Sequence, residues 1–160
     1  MFSAMTTFTK VHVLISLIAI FAGFVIAFGL LTAKRLDGWT ALFLAMTLLT
    51  SVTGFFFPFH GFTPAIVVGI VSLVVLAIAI FARYGRKLTR AWRWIYVVTA
   101  MLALYLNVFV LIVQLFQKVP ALKSLAPTQS EPPFQIAQLC ALLIFVILTV
   151  FAVIRFRPIN

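Results

Sequence analysis

The sequence predicts an all-α membrane protein: one domain over residues 1–160, built as a bundle of five transmembrane helices, N-terminus outside and C-terminus inside. Three observations predict it. Hydrophobic residues are 65% of the 160 residues and charged residues 9%, against roughly 45–50% and about 25% in soluble domains. A soluble fold of this size cannot hide that much apolar surface. Five uncharged apolar stretches, 11–33, 39–57, 65–82, 94–116 and 134–154, are each 18 to 23 residues long. At about 1.5 Å per residue, such lengths cross a hydrocarbon core of about 30 Å, the third only just. Lysine and arginine are also unevenly placed. With the N-terminus outside, the inside holds Lys34, Arg35, Arg83, Arg86, Lys87, Arg90, Arg93, Arg155 and Arg157, nine in all. The outside holds three, Lys10, Lys118 and Lys123. Positive charge marks the cytoplasmic side.

The first stretch reads as a mature helix. Its apolar run is longer than a signal-peptide core, it shows no small-x-small cleavage site, and more cations follow it than precede it. Ala19, Gly23 and Ala27 lie four apart, a small-residue face for close packing. The second stretch carries Thr47, Thr50, Ser51, Thr53 and Gly54. The proline-bounded loop 58–64 should close spans two and three into a hairpin. Ala65, Gly69 and Ser72 form a second small face on the third span. The inner loop 83–93 holds five cations with aromatic neighbours. On a soluble protein such a loop would suggest RNA. Held between two spans it should contact anionic lipid headgroups, and no nucleic-acid partner is expected. Trp39, Trp92, Trp94 and Tyr84 sit at inner span ends, as interfacial aromatics do.

Span four places Asn107 and Gln114 on one face, seven residues apart, and Lys118 continues it. Span five begins with Gln135 and Gln138. The long outer loop 117–133 contains Thr128, Gln129 and Glu131, one of only two acids. Pro132 and Pro133 suit the first turn of span five, where missing amide protons cost little. Glu131 would then sit at a helix N-terminus, favoured by the helix dipole, with Lys118 and Lys123 as ion-pair partners. His12 opens span one, and His60 lies in the outer hairpin loop. The inner halves of the spans are nearly pure hydrocarbon. Polar side chains in lipid need a partner or water. This asymmetry predicts an outer-face polar cluster or shallow cavity lined mainly by spans two, four and five. The candidate ligand- or partner-binding residues are Asn107, Gln114, Lys118, Thr128, Gln129, Glu131, Gln138 and His60.

Catalytic signatures are missing: there is no GxSxG, HExxH, P-loop or GxGxxG. The single cysteine, Cys140, reads as a small buried apolar residue. No cofactor or metal site is expected. Three stretches, TLLTSVTGFFFP (47–58), ALYLNVFVLIVQLFQKVPAL (103–122) and LAPTQSEPPF (125–134), resemble small bacterial integral membrane proteins of unassigned activity. The resemblance implies the bacterial inner membrane and no reaction. The leading expectation is a non-enzymatic accessory or assembly component, with a membrane-protein partner, a second copy of itself or a small ligand at the outer cluster. The alternatives are a small-solute transporter or channel acting as an oligomer, and a haem or quinone redox protein.

Overall fold

The computed structural model describes residues 7–56 and 64–157. Its described elements are all helical: α1 (Thr7–Leu31), α2 (Asp37–Gly54), α3 (Pro64–Ile80), a π-helical turn (Phe81–Gly85), α4 (Trp92–Lys118), α5 (Pro120–Leu125) and α6 (Pro132–Arg155). The hairpin loop expected at 58–64 lies, but for its last residue, outside the described residues. His60 and the side chain of Ala65 lie outside them too.

Among the described residues four helices are long and apolar enough to cross a membrane: Thr7–Leu31, Ile66–Gly85, Trp92–Lys118 and Pro132–Arg155. The second expected span, α2, falls outside that group. Its eighteen residues take in Asp37, Thr40, Thr47, Thr50, Ser51 and Thr53, which dilute its apolar character. The ends of the helices also differ from the expected spans. α1 starts four residues before 11. The helix expected to stop at 82 runs on to Gly85 through the π turn. The expected loop 117–133 contains a short helix, α5.

Local chemistry accounts for the ends. α1 closes with Ala33 in the left-handed region (φ 59°), while the Lys34 amide donates to Gly29 O at 2.7 Å. That is a Schellman-type stop, in which one left-handed residue lets orphan carbonyls be satisfied. Gly29 is needed there, because a Cβ would fall 3.0 Å from Lys34 O and closer still to Leu36 Cδ1. α4 ends where Pro120 forces the preceding Val119 into an extended conformation (ψ 117°). Pro132 opens α6, where its lost amide proton costs least.

Helix α1 packs on α2, α4 and α6, and α3 packs on α2 and α4. The four helices α1, α2, α3 and α4 therefore close a ring. α6 lies against α1 and α4 from outside, and only Phe145 and Ala152 of its residues are buried. Cys140 stands on this exposed flank, not in the core as expected, because α6 faces away from the ring along most of its length.

The core fills one half of the ring, the half holding Arg83. Phe43, Leu76, Tyr96, Val97, Met101 and Leu104 are all buried there, at most 1% exposed. Ala19, Gly23 and Ala27 form a buried stripe on α1. A Cβ at Gly23 would fall 2.9 Å from Phe43 Cε1 and nearer still to Leu104 Cδ1, so three helices converge on that glycine.

The Arg83 end is not pure hydrocarbon, which corrects the sequence expectation. The π turn carries the chain past its expected end and rotates Arg83 inward, leaving it 3% exposed. Its Nη2 donates to the Asp37 carboxylate and to Arg35 O at 3.2 Å. Its guanidinium carbon lies 5.1 Å from the Tyr96 ring centroid, a cation–π contact. Thr40 Oγ1 donates to the same Arg35 carbonyl at 3.2 Å. Asp37, opening α2, thus ties together the ends of α2, α3 and α4. Arg93 is withdrawn as well: its Nη1 donates to Val153 O at 2.8 Å and Phe156 O at 2.7 Å, closing the end of α6. Of the five cations in 83–93, Arg86, Lys87 and Arg90 remain exposed at the surface.

Candidate functional site

Opposite the Arg83 end, on the side of His12, the ring is hollow. A cavity of about 610 Å³ lies between α1, α2, α3 and α4, within the roughly 300–1,000 Å³ typical of small-molecule sites. α1 presents Thr9, His12, Val13, Ser16, Leu17 and Ile20 to it, a stripe at helical spacing. α4 presents a longer stripe from Leu106 to Val119, with Asn107, Gln114 and Lys118 on it. The remaining walls explain the empty volume. Ser51 and Gly54 from α2 and Ser72 from α3 are small where the other half of the ring has Phe43 and Leu76, and Thr50, Phe55 and Val68 complete these walls. The floor is the packing of Gly23, Phe43 and Leu104 described above.

The lining is mostly apolar, with a few polar groups whose hydrogen bonds can be followed. Asn107 Nδ2 donates to the fully buried Thr47 Oγ1 at 3.1 Å, tying α4 to α2. His12 Nδ1 lies 2.7 Å from Thr53 Oγ1, which is also within 2.6 Å of Leu49 O, so α1 and α2 are tied together at this level. Ser16 Oγ donates to His12 O at 2.8 Å. Thr50 Oγ1 is buried without a hydrogen-bond partner. Gln114 and Lys118 line the wall and the rim, and neither side chain is engaged by another described side chain in a hydrogen bond or ion pair. Lys118 stands within electrostatic reach of His12.

Of the eight residues expected to form one site, the structure brings Asn107, Gln114 and Lys118 together. The others divide. Gln138 sits on the opposite flank of α4 and donates to Phe109 O at 3.3 Å. Thr128 and Gln129 border a separate open crevice of about 450 Å³ with Phe116, Gln117, Lys123 and Pro127. The lining expected from spans two, four and five comes instead from α1, α2, α3 and α4. The reason is topological: α6 packs outside the ring, so its amides bond to the near side of α4 and to the loop. The residues that the sequence reading missed are His12 and Ser16 on α1 and Gly69 and Ser72 on α3. The signal was present in the α1 stripe, but the small residues of α3 had been read as a close-packing face. Phe55 does close over Gly69, while Ser72 faces the cavity.

Glu131 has a structural role in its own loop. It is the residue before α6, but its side chain makes no capping bond to that helix. Thr128 Oγ1 donates to Glu131 Oε1 at 2.6 Å, the Thr128 amide to the same oxygen at 3.1 Å, and the Ser130 amide to Oε2 at 3.2 Å. Neither Lys118 nor Lys123 forms the ion pair expected with it; the ion pairs between described residues join Asp37 to Arg35 and Arg83. Gln129, in the left-handed region (φ 62°), anchors the loop by donating to Val113 O at 3.0 Å and accepting from Gln117 Nε2 at 3.2 Å.

The Thr128 hydroxyl, with the two amides, holds the Glu131 carboxyl below its ordinary value of 4.5. A group whose folded value is depressed stabilises the fold above the unfolded value and loses that contribution as pH falls through the folded value. Loosening of this loop is therefore expected only in acid below the usual carboxylate range. A carboxyl-carbon NMR titration should place Glu131 below 4.5, and Thr128→Val should return its midpoint toward that value. An unmoved midpoint would show that the hydroxyl is not the cause.

Comparison of the chain with protein-family models, with curated proteins and with solved structures finds no match.

Proposed function

We propose that the chain is a non-enzymatic, multi-pass integral membrane protein whose cavity on the His12 side binds a small ligand, in the manner of an accessory component. In this reading α2 completes a five-span bundle. The nine cations of the Arg83 side face the cytoplasm by the positive-inside rule, and the cavity opens toward the outer face. A bacterial inner-membrane location follows from the resemblance of the three quoted stretches. The exposed Arg86, Lys87 and Arg90 would meet anionic headgroups.

One observation carries the reading: large side chains fill one half of the ring, while the other, where Ser51, Gly54 and Ser72 stand on α2 and α3, encloses a cavity of about 610 Å³. A bundle that needed only stability would fill both halves, because voids forfeit packing energy. The closed floor at Gly23, Phe43 and Leu104 favours binding over passage through a single subunit. Native mass spectrometry of protein released from its membrane in mild detergent tests it. The expected result is a bound small mass; a ligand-free chain under conditions that retain annular lipid would overturn it. The orientation has its own test. With Cys140 replaced by alanine, Ser130→Cys should react with an impermeant thiol reagent added outside intact cells. Labelling that needs lysis would invert the topology.

A further inference from the structure

The distribution of charge around the cavity says what kind of molecule it takes. No carboxylate lines it. Its rim carries the Lys118 ammonium, with His12 within electrostatic reach. Glu131, the only acid in the segment after α4, is bonded to Thr128 and Ser130, and among the described residues Lys118 forms no ion pair. One turn below Lys118, the Gln114 amide is also unengaged. Below them Leu17, Ile20, Leu106 and Val110 form most of the wall, with Ser16, Thr50, Ser72 and Asn107 set among them. The site is thus cationic at its mouth, with mostly apolar walls below that carry a few hydroxyls and the Asn107 amide. A fully polar anion would leave the apolar walls unfilled, and a pure hydrocarbon would gain nothing from the Lys118 charge or the Gln114 amide.

We infer that the cavity takes an amphiphile with an anionic head, the head held at Lys118 and Gln114 and the apolar body laid between α1, α3 and α4. This rests on the reading of the cavity as a binding site. The chemistry is shared by a free long-chain carboxylate and by a phosphate-headed single-chain lipid, and the two sources are separated by experiment.

The protein in nanodiscs of uncharged lipid is titrated with four probes: a fluorescent long-chain carboxylate, its methyl ester, a phosphate-headed single-chain lipid and inorganic phosphate. An anionic amphiphile should bind tighter than the ester by roughly tenfold or more, since charge-assisted hydrogen bonds are about twice as strong as neutral ones. Lys118→Gln should bring carboxylate binding down to the level of the ester; the residue is exposed at the rim, so the fold should survive. Preference for the phosphate head over the carboxylate identifies the source within the same class. Equal binding of carboxylate and ester, unaffected by Lys118→Gln, overturns the inference and leaves the cavity as a neutral site. Binding of inorganic phosphate as tightly as either amphiphile overturns it as well, by removing the need for an apolar body. If no probe binds, both this inference and the cavity reading fall.

Discussion

Asp37→Ala lowers the stability of the folded protein by about 3 kcal/mol, the low end of the cost of breaking a buried ion pair, and costs more than Arg83→Met. The asymmetry follows from exposure. Asp37 has a side chain 73% exposed and Arg83 one 2% exposed. Removing the carboxylate leaves a guanidinium enclosed by protein with no counter-charge, supported only by Arg35 O and the Tyr96 face. Removing the guanidinium instead leaves a carboxylate that water already reaches. Methionine keeps most of the volume against Tyr96, so that change should cost about 1–2 kcal/mol. Water access to Asp37 is also why the upper range for fully buried pairs does not apply. The double variant Asp37→Ala/Arg83→Met should be more stable than Asp37→Ala alone, because the stranded charge is gone. Thermal unfolding of the four proteins in one detergent checks this. A double variant less stable than either single would mean that the two residues act independently.

Gly54→Leu empties the site of its ligand without unfolding the ring. Gly54 ends α2 on the cavity wall, and among the described residues a Cβ there would meet only His12 Cε1, at 3.8 Å, an ordinary contact. Gly23 differs, since any side chain there strikes Phe43 and Leu104. A leucine at position 54 therefore grows into empty volume beside the imidazole. It should abolish bound mass in native spectra and leave the unfolding temperature unchanged or raised, as filling a void commonly does. Ligand retained at wild-type occupancy in this variant would place the ligand elsewhere.

Helix type and rough extent were legible in the sequence because lipid-length apolar runs have few other solutions. The face shared by Asn107, Gln114 and Lys118 was legible for the same kind of reason: seven- and four-residue spacings on one helix determine direction. Which helices meet across the ring was not. Nothing local in Gln138 or Gln135 says that α6 packs outside, and hydropathy treats all spans alike. Arg83 was misplaced because a π turn, with one extra residue per turn, redirects a side chain that any 3.6-residue periodicity assigns to the loop. Asp37 offered a clue that went unused. A chain with two acids keeps one at an otherwise cationic end, where a buried cation requires it. Glu131 was located correctly beside α6, but its partners were close neighbours in the chain, Thr128 and Ser130, and not the distant lysines that charge alone proposed.

The hollow half of the ring is the centre of this account, and a density map of the protein, purified from its own membrane in mild detergent, tests it most directly. Continuous density is expected to rise from Ile20 and Leu106 past Asn107 to the rim at Lys118. A cavity closed by the collapse of α1 onto α3, with no density between them, would contradict it.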